Sequence, residues 1–162
     1  MTKQSLLILF LSLSCHLTQA QDAFFSESKA ESNIEITSEY TAVESAILDY
    51  VEALYLVDST RMERSVSPNL RKIGYWKDPK TGEYRDNLNM TYEQLVSLSA
   101  RWNTDGKSAD EDSVKEIDIY DINDRTASAK LTAVWGIDYM HLAKIDGKWL
   151  IMNVIWQSHP EE

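Results

Sequence analysis

A stripe of apolar residues at three- and four-residue spacing restricts the fold of this chain more than any other feature. This spacing places its members on one face of a helix with 3.6 residues per turn. They are Val43, Ala46, Ile47, Tyr50, Val51, Leu54 and Tyr55. The predicted helix ends near Val57. A helix that is apolar on one face needs a partner surface, so the rest of the chain must supply a layer that covers it.

Two further helices are predicted from capping signals. Thr60 and Glu63 have the spacing of a capping box, and Pro68 stops the short helix that they begin. Thr91 and Gln94 repeat the same spacing at the start of a third helix. Its apolar members are Tyr92, Leu95, Val96, Leu98 and Trp102.

The remaining segments have the composition of strands. Residues 78–82 contain Pro and Gly and predict a tight reversal, while Asp146-Gly147 is a strong signal for a two-residue hairpin. The predicted strands cover residues 70–77, 83–85, 114–122, 127–143 and 149–157, of which the last three are long and antiparallel. Since a one-sided sheet must bury its apolar face, this order predicts an α+β fold with a curved sheet around the first helix.

The amino terminus has the pattern of a signal peptide. Lys3 precedes an apolar run over residues 6–11, and small residues at Thr18 and Ala20 fit a cleavage point. We therefore expect a signal peptide over 1–20, a polar flexible leader over 21–40 and one domain over 41–160. The alternative is a lipoprotein anchored at Cys15. In either case the prediction is an exported protein, periplasmic or secreted, whose mature form does not insert into a membrane.

Composition excludes several classes of function. The chain has 26 Asp and Glu against 16 Lys and Arg, with no basic stripe, which argues against binding nucleic acid. No cysteine follows Cys15, so the predicted domain has no disulfide and no thiol nucleophile. Gly-x-Ser-x-Gly and glycine-rich phosphate loops are absent, and the histidines lack acidic partners at metal-binding spacing. We expect neither a cofactor nor a metal.

The end of the chain resembles a known family. Residues 136–149, Gly-Ile-Asp-Tyr-Met-His-Leu-Ala-Lys-Ile-Asp-Gly-Lys-Trp, followed by 151–156, Ile-Met-Asn-Val-Ile-Trp, are similar to the closing hairpin of the Putative lumazine-binding family, within the nuclear transport factor 2-like superfamily. Ser67-Pro68-Asn69-Leu70-Arg71-Lys72 resembles that family's segment after the second helix, except that Ser67 stands where many relatives have histidine. The resemblance implies a cystatin-like cone with a cavity between sheet and helices, and a homodimer. The superfamily includes both enzymes and binding modules, so the resemblance does not choose between them.

Pairing across the Asp146-Gly147 turn selects the first candidate residues. It sets Lys144 opposite Trp149, Leu142 opposite Ile151, Met140 opposite Asn153 and Asp138 opposite Ile155, all on one sheet face. A bulge at Gly136 would shift this register on its amino-terminal side. In this register Asp138 and Asn153 are polar groups among apolar neighbours such as Met140, as expected for a cavity that orients a ligand. Asp138 is the candidate for proton transfer, or alternatively a structural partner of a tyrosine hydroxyl or a backbone amide.

Other candidates come from the first helix and from the tryptophans. Tyr55 and Asp58 lie three residues apart at the end of the apolar stripe and could reach the cavity mouth, although Asp58 could equally begin the turn between helices. Trp102 is one of five tryptophans that could stack on a planar heterocycle, or instead fill the core. His141 is predicted on the face opposite Asp138, so a dyad of the two is not expected.

Three functions are consistent with these patterns. The leading prediction is an exported domain that binds a small apolar or aromatic molecule. The second is a cofactor-free acid-base enzyme, of the isomerase, dehydratase or cyclase type, that uses Asp138. The third is a homodimeric interaction module in which His141, Tyr139 and Trp156 meet a partner chain.

Overall fold

The structure is a computed structural model that describes residue 29 and residues 36–160. It divides into two units, Met1–Ser38 and Glu39–Glu162, and all contacts below belong to the second. The predicted signal peptide, the lipid-anchor alternative at Cys15 and nearly all of the predicted leader lie outside the described residues.

The first helix, α1, covers residues 36–55 of the described chain. Its seven predicted apolar residues are all buried, which confirms the stripe. The helix is already formed at residue 36, within the segment assigned to the leader. It ends two residues before the predicted end, and Val57 adopts a φ of 57° in the turn that follows. Helix α1 therefore offers a continuous apolar face to the rest of the domain.

The two later helices are short and have clear amino-terminal caps. Helix α2 spans Ser59–Ser65, and its cap is Asp58, whose carboxylate accepts a hydrogen bond from the Thr60 amide at 3.0 Å. The predicted capping box of Thr60 and Glu63 is therefore wrong, because Asp58 already occupies the N-cap. Helix α3 spans Tyr92–Ser99, where the predicted box of Thr91 and Gln94 is present. It ends before Trp102, which lies in the turns that follow.

In the part of the chain that the structure describes, six strands form one sheet in the order β2-β1-β6-β5-β4-β3. Strands β1 and β6 are parallel, and every other neighbouring pair is antiparallel. The strands are β1 Val66–Lys77, β2 Tyr84–Met90, β3 Lys115–Ile122, β4 Thr126–Ala133, β5 Gly136–Ile145 and β6 Lys148–Gln157. Helix α1 supplies one side of the core and the sheet supplies the other, which confirms the predicted α+β cone. Among residues 36–160, no helix is both long and apolar enough to cross a membrane.

The long strand predicted over residues 127–143 is in fact two strands. Strand β4 ends at Ala133, the chain turns at Val134 and Trp135, and β5 returns from Gly136. The prediction failed because Val and Trp favour strands and are poor turn residues, so the alternation of apolar residues hid the reversal. Gly136 permits the turn, since its φ of 141° is open to glycine and strained for other residues.

A bulge shifts the register between β5 and β6. Leu142 pairs with Ile151 as predicted, but His141 pairs with Asn153, which leaves Met152 as the extra residue. The predicted pairs of Met140 with Asn153 and of Asp138 with Ile155 are therefore wrong. Because one extra residue reverses the facing of all that follow, Val154 and Trp156 replace Asn153 and Ile155 opposite Met140 and Asp138.

Candidate functional site

A cavity of about 100 Å³ lies between α1, α3 and the sheet. Its floor is buried and its rim residues are partly exposed, so it opens to solvent on one side. The described part of the wall is apolar and aromatic except for one ammonium group. The lining residues are Tyr50, Leu54, Lys72, Met90, Leu95, Leu98, Trp102, Trp135 and Trp156. This composition is typical of sites that bind small organic molecules.

The floor of the cavity is a buried polar cluster around Asp138. The Tyr50 hydroxyl donates to Asp138 Oδ2 at 2.8 Å, and Trp135 Nε1 donates to Asp138 Oδ1 at 3.1 Å. Lys72 Nζ donates to the Tyr50 hydroxyl at 2.6 Å and lies 3.5 Å from Asp138 Oδ2. Asp138 is fully buried and Lys72 is 6% exposed, so each charge depends on the other for compensation.

Burial and charge act together on the two groups that face the cavity. Burial raises the pKa of Tyr50 well above its usual value, and the negative charge of Asp138 raises it further. The Tyr50 phenol therefore keeps its proton at neutral pH and remains a donor to Asp138. Burial also lowers the pKa of Lys72, while Asp138 acts in the opposite direction by favouring the ammonium form.

Packed aromatic rings make one wall of the cavity. The Trp102 ring is stacked on Tyr55, with centroids 6.0 Å apart, and meets Trp135 edge to face at 5.6 Å. The Tyr55 hydroxyl donates to the Val114 carbonyl at 2.7 Å and accepts from the Val134 amide at 3.0 Å. Tyr55 thus ties the turn that carries Trp135 to the end of α1 and packs against both indoles.

Small backbone features bring the tryptophans to the cavity. The Val134-Trp135 turn directs Trp135 towards Asp138, and the bulge at Met152 sets Trp156 on the inner face. Gly74 of β1 leaves room for Trp156, because a Cβ at this position would lie only 2.2 Å from Trp156 Nε1. The Lys72 ammonium lies 5.4 Å from the centre of the Trp156 ring, which favours its charged form.

The structure brings together some of the residues selected from sequence. Trp102 lines the cavity. Asp138 lies behind the lining residues Tyr50 and Trp135, from which it accepts hydrogen bonds. Met140 is buried in the core on the same sheet face as Asp138. Tyr55 is also buried, behind Trp102. Tyr55 therefore supports the wall from behind and does not itself line the cavity.

Two selected residues lie elsewhere. Asp58 is the N-cap of α2, a role that the sequence analysis gave to Thr60, and it does not line the cavity. Asn153 is on the other sheet face, where its Oδ1 lies 3.1 Å from His141 Nδ1 and its Nδ2 donates to the Arg71 carbonyl at 3.2 Å. Asn153 lies on this face and not on the predicted one because the bulge at Met152 reverses its facing. His141 lies opposite the cavity face, as predicted.

Sequence reasoning missed Tyr50 and Lys72 as site residues, and it considered Trp135 and Trp156 only as two of the five tryptophans, without selecting them. Lys72 had a readable signal, since it alternates with Leu70 and Gly74 on the buried face of β1. A lysine at an inward position of a strand is rarely buried without a partner, which could have directed attention to Asp138. Ser67 lies outside the lining, where its hydroxyl accepts from the Asn69 amide at 3.1 Å. In the described residues, no group of three His, Cys, Asp or Glu side chains could hold a metal ion.

Solved structures with a similar fold include proteins with no assigned function. A nuclear transport factor 2-like protein of unknown function from Shewanella baltica has a TM-score of 0.58 and 22% identity, covering 77% of this chain and 97% of its own. A second such protein, from Silicibacter pomeroyi, has a TM-score of 0.56 and 15% identity, covering 76% of this chain and 98% of its own. Identities this low show the fold alone.

A further similar structure carries the name of an enzyme. It is described as a putative scytalone dehydratase from Novosphingobium aromaticivorans, with a TM-score of 0.52 and 12% identity, covering 76% of this chain and 86% of its own.

No curated protein matches the chain. The family model described as Putative lumazine-binding matches residues 38–157. Because this match spans most of the sequence and all six strands, the chain belongs to the Putative lumazine-binding family and has a nuclear transport factor 2-like fold.

Proposed function

We propose that this protein binds a small planar organic molecule in the cavity between α1, α3 and the sheet. One observation carries the proposal: in the described lining, the cavity combines three indole rings with one inward ammonium group, that of Lys72. Aromatic walls favour flat ring systems by stacking, and one polar group orients a ligand without filling the site with water. The family description points to the same class of ligand, a pteridine such as lumazine.

Binding fits the geometry better than acid-base catalysis by Asp138. A general base must reach the proton that it removes, directly or through one water. Asp138 is fully buried, and both of its oxygens already accept hydrogen bonds, from Tyr50 and from Trp135. A ligand in the cavity would meet Tyr50 and Lys72 instead. The acid-base alternative therefore requires the polar cluster to open before any reaction.

Titration with lumazine, followed by tryptophan fluorescence or calorimetry, tests the proposal. We expect Trp102→Ala to weaken binding about fivefold to tenfold, because the lost stacking is worth roughly 1–1.4 kcal/mol. The control is Trp76→Ala, since Trp76 does not line the cavity and lies instead against Arg85, 5.1 Å from its ring centre. Equal affinities for the two variants, or no binding of lumazine or another small pteridine to the wild type, would contradict the proposal.

We also propose that the protein is exported, on the basis of the amino-terminal pattern of residues 1–20. The intact mass of the protein from its own host tests this. A chain that begins at Gln21 supports cleavage after Ala20, and a lipid-modified chain that begins at Cys15 supports the lipoprotein alternative. An uncleaved chain in the cytoplasmic fraction contradicts both.

We also propose a homodimer through the sheet face that lies opposite the cavity. Tyr139 and Ile155 are cross-strand partners in the middle of the sheet, yet they are 48% and 46% exposed. Large apolar side chains on central strands favour a covering partner, and a second copy offers a matching surface. Light scattering should give twice the chain mass for the wild type and one chain mass for Tyr139→Glu. A monomeric wild type at high concentration would contradict the proposal.

A further inference from the structure

The charge of the cavity is already balanced before a ligand enters. Among the described residues that line the cavity, Lys72 is the only charged one, and Asp138 Oδ2 lies 3.5 Å from its ammonium nitrogen. The Tyr50 phenol is neutral, as argued above. The charges of Lys72 and Asp138 therefore cancel, and the part of the site that the structure describes carries no net charge.

One hydrogen-bond donor on Lys72 remains for a ligand. An ammonium group has three N–H donors and no acceptor. Within the described chain, one donor goes to the Tyr50 hydroxyl, and the ion pair with Asp138 Oδ2, 3.5 Å from the nitrogen, accounts for a second. Because Lys72 lines the cavity and is nine-tenths buried, the third N–H is available to an oxygen or nitrogen acceptor inside the cavity.

We infer that the cavity selects uncharged planar ligands that carry a carbonyl or similar acceptor, and rejects the corresponding carboxylates. The inference rests on the proposed ligand-binding function and names its ligand class. A neutral carbonyl satisfies the third N–H of Lys72 and adds no charge. A carboxylate would compete with Asp138 for the same ammonium and leave one negative charge uncompensated among apolar walls, which is costly. The acidic chain, with a net charge of −10, opposes an anion further.

Acetophenone and benzoate are suitable probes, because they have the same ring and nearly the same shape. Where acetophenone has a methyl group on its carbonyl carbon, benzoate has a charged oxygen. NMR titration of the wild-type protein at neutral pH should give an affinity for acetophenone at least tenfold above that for benzoate. Equal binding, or tighter binding of benzoate, overturns the inference and leaves the proposed function intact. If lumazine and both probes fail to bind, the proposed function itself fails.

A charge-switch variant sharpens the test. Asp138→Asn removes the partner of Lys72, so a ligand carboxylate can take its place beside the ammonium. We expect this variant to bind benzoate at least as tightly as acetophenone. The ratio of the two affinities would then differ from that of the wild type by about tenfold or more. Asp118→Asn is the control, because Asp118 pairs with Lys130 on an exposed strand and should leave the ratio unchanged. A preference that stays the same in Asp138→Asn overturns the charge argument. The wild-type comparison decides the inference if this variant does not fold.

Discussion

Replacing Asp138 with alanine should lower the free energy of unfolding by about 3–5 kcal/mol, the usual cost of leaving one member of a buried ion pair without its partner. The change leaves the Lys72 ammonium buried without a counter-charge and removes the acceptors for Tyr50 and Trp135. Urea denaturation followed by circular dichroism measures the loss.

The matched control is Asp118→Ala. Asp118 also forms an ion pair, with Lys130, but its side chain is 54% exposed. Water screens this pair, so its loss should cost less than about 1 kcal/mol. If Asp138→Ala costs no more than Asp118→Ala, then the cluster under the cavity does not hold the charges in the way that the structure shows.

Gly136→Ala should destabilise the protein by about 3 kcal/mol or more, because two costs combine at this position. A φ of 141° is strained by about 1–3 kcal/mol for a residue other than glycine. A Cβ would also lie 1.9 Å from the Gln157 carbonyl oxygen, so β5 and β6 would have to separate. We also expect weaker ligand binding, because the adjacent turn positions Trp135. Thermal and urea unfolding measure the first effect.

Gly106→Ala separates the two costs. Gly106 also has a positive φ, of 66°, but a Cβ there would meet no atom within 4 Å. Its replacement should cost only the conformational strain, about 1 kcal/mol. Similar losses for both variants would show that β5 and β6 can separate freely at Gly136, contrary to the close approach described here.

The helical part of the fold could be predicted from sequence because its signals are local. The apolar stripe of α1 follows from spacing alone, and the Thr91–Gln94 box marks the start of α3. The sheet was harder, since its turns and register depend on distant contacts. The Val134-Trp135 turn uses residues that favour strands, and Tyr55, far away in sequence, stabilises it through its bond to the Val134 amide.

The candidate site was only partly predictable for the same reason. Asp138 and Trp102 could be selected as unusual residues within apolar patterns. The extra residue at Met152 leaves no mark in the sequence, yet it moves Asn153 out of the cavity face and brings Trp156 in. Tyr50 was placed correctly in the core of α1, but its role as a bridge between Lys72 and Asp138 needs three elements to meet.

Native mass spectrometry of the protein purified from its own host tests the central claim most directly. The same sample is measured intact and after denaturation, so that any retained small molecule is released and weighed. We predict one uncharged, planar, carbonyl-containing compound for each chain, and its loss from Trp102→Ala but not from Trp76→Ala. A ligand-free protein that also takes up no small pteridine and no simple aromatic ketone would contradict the claim that this cavity is a binding site.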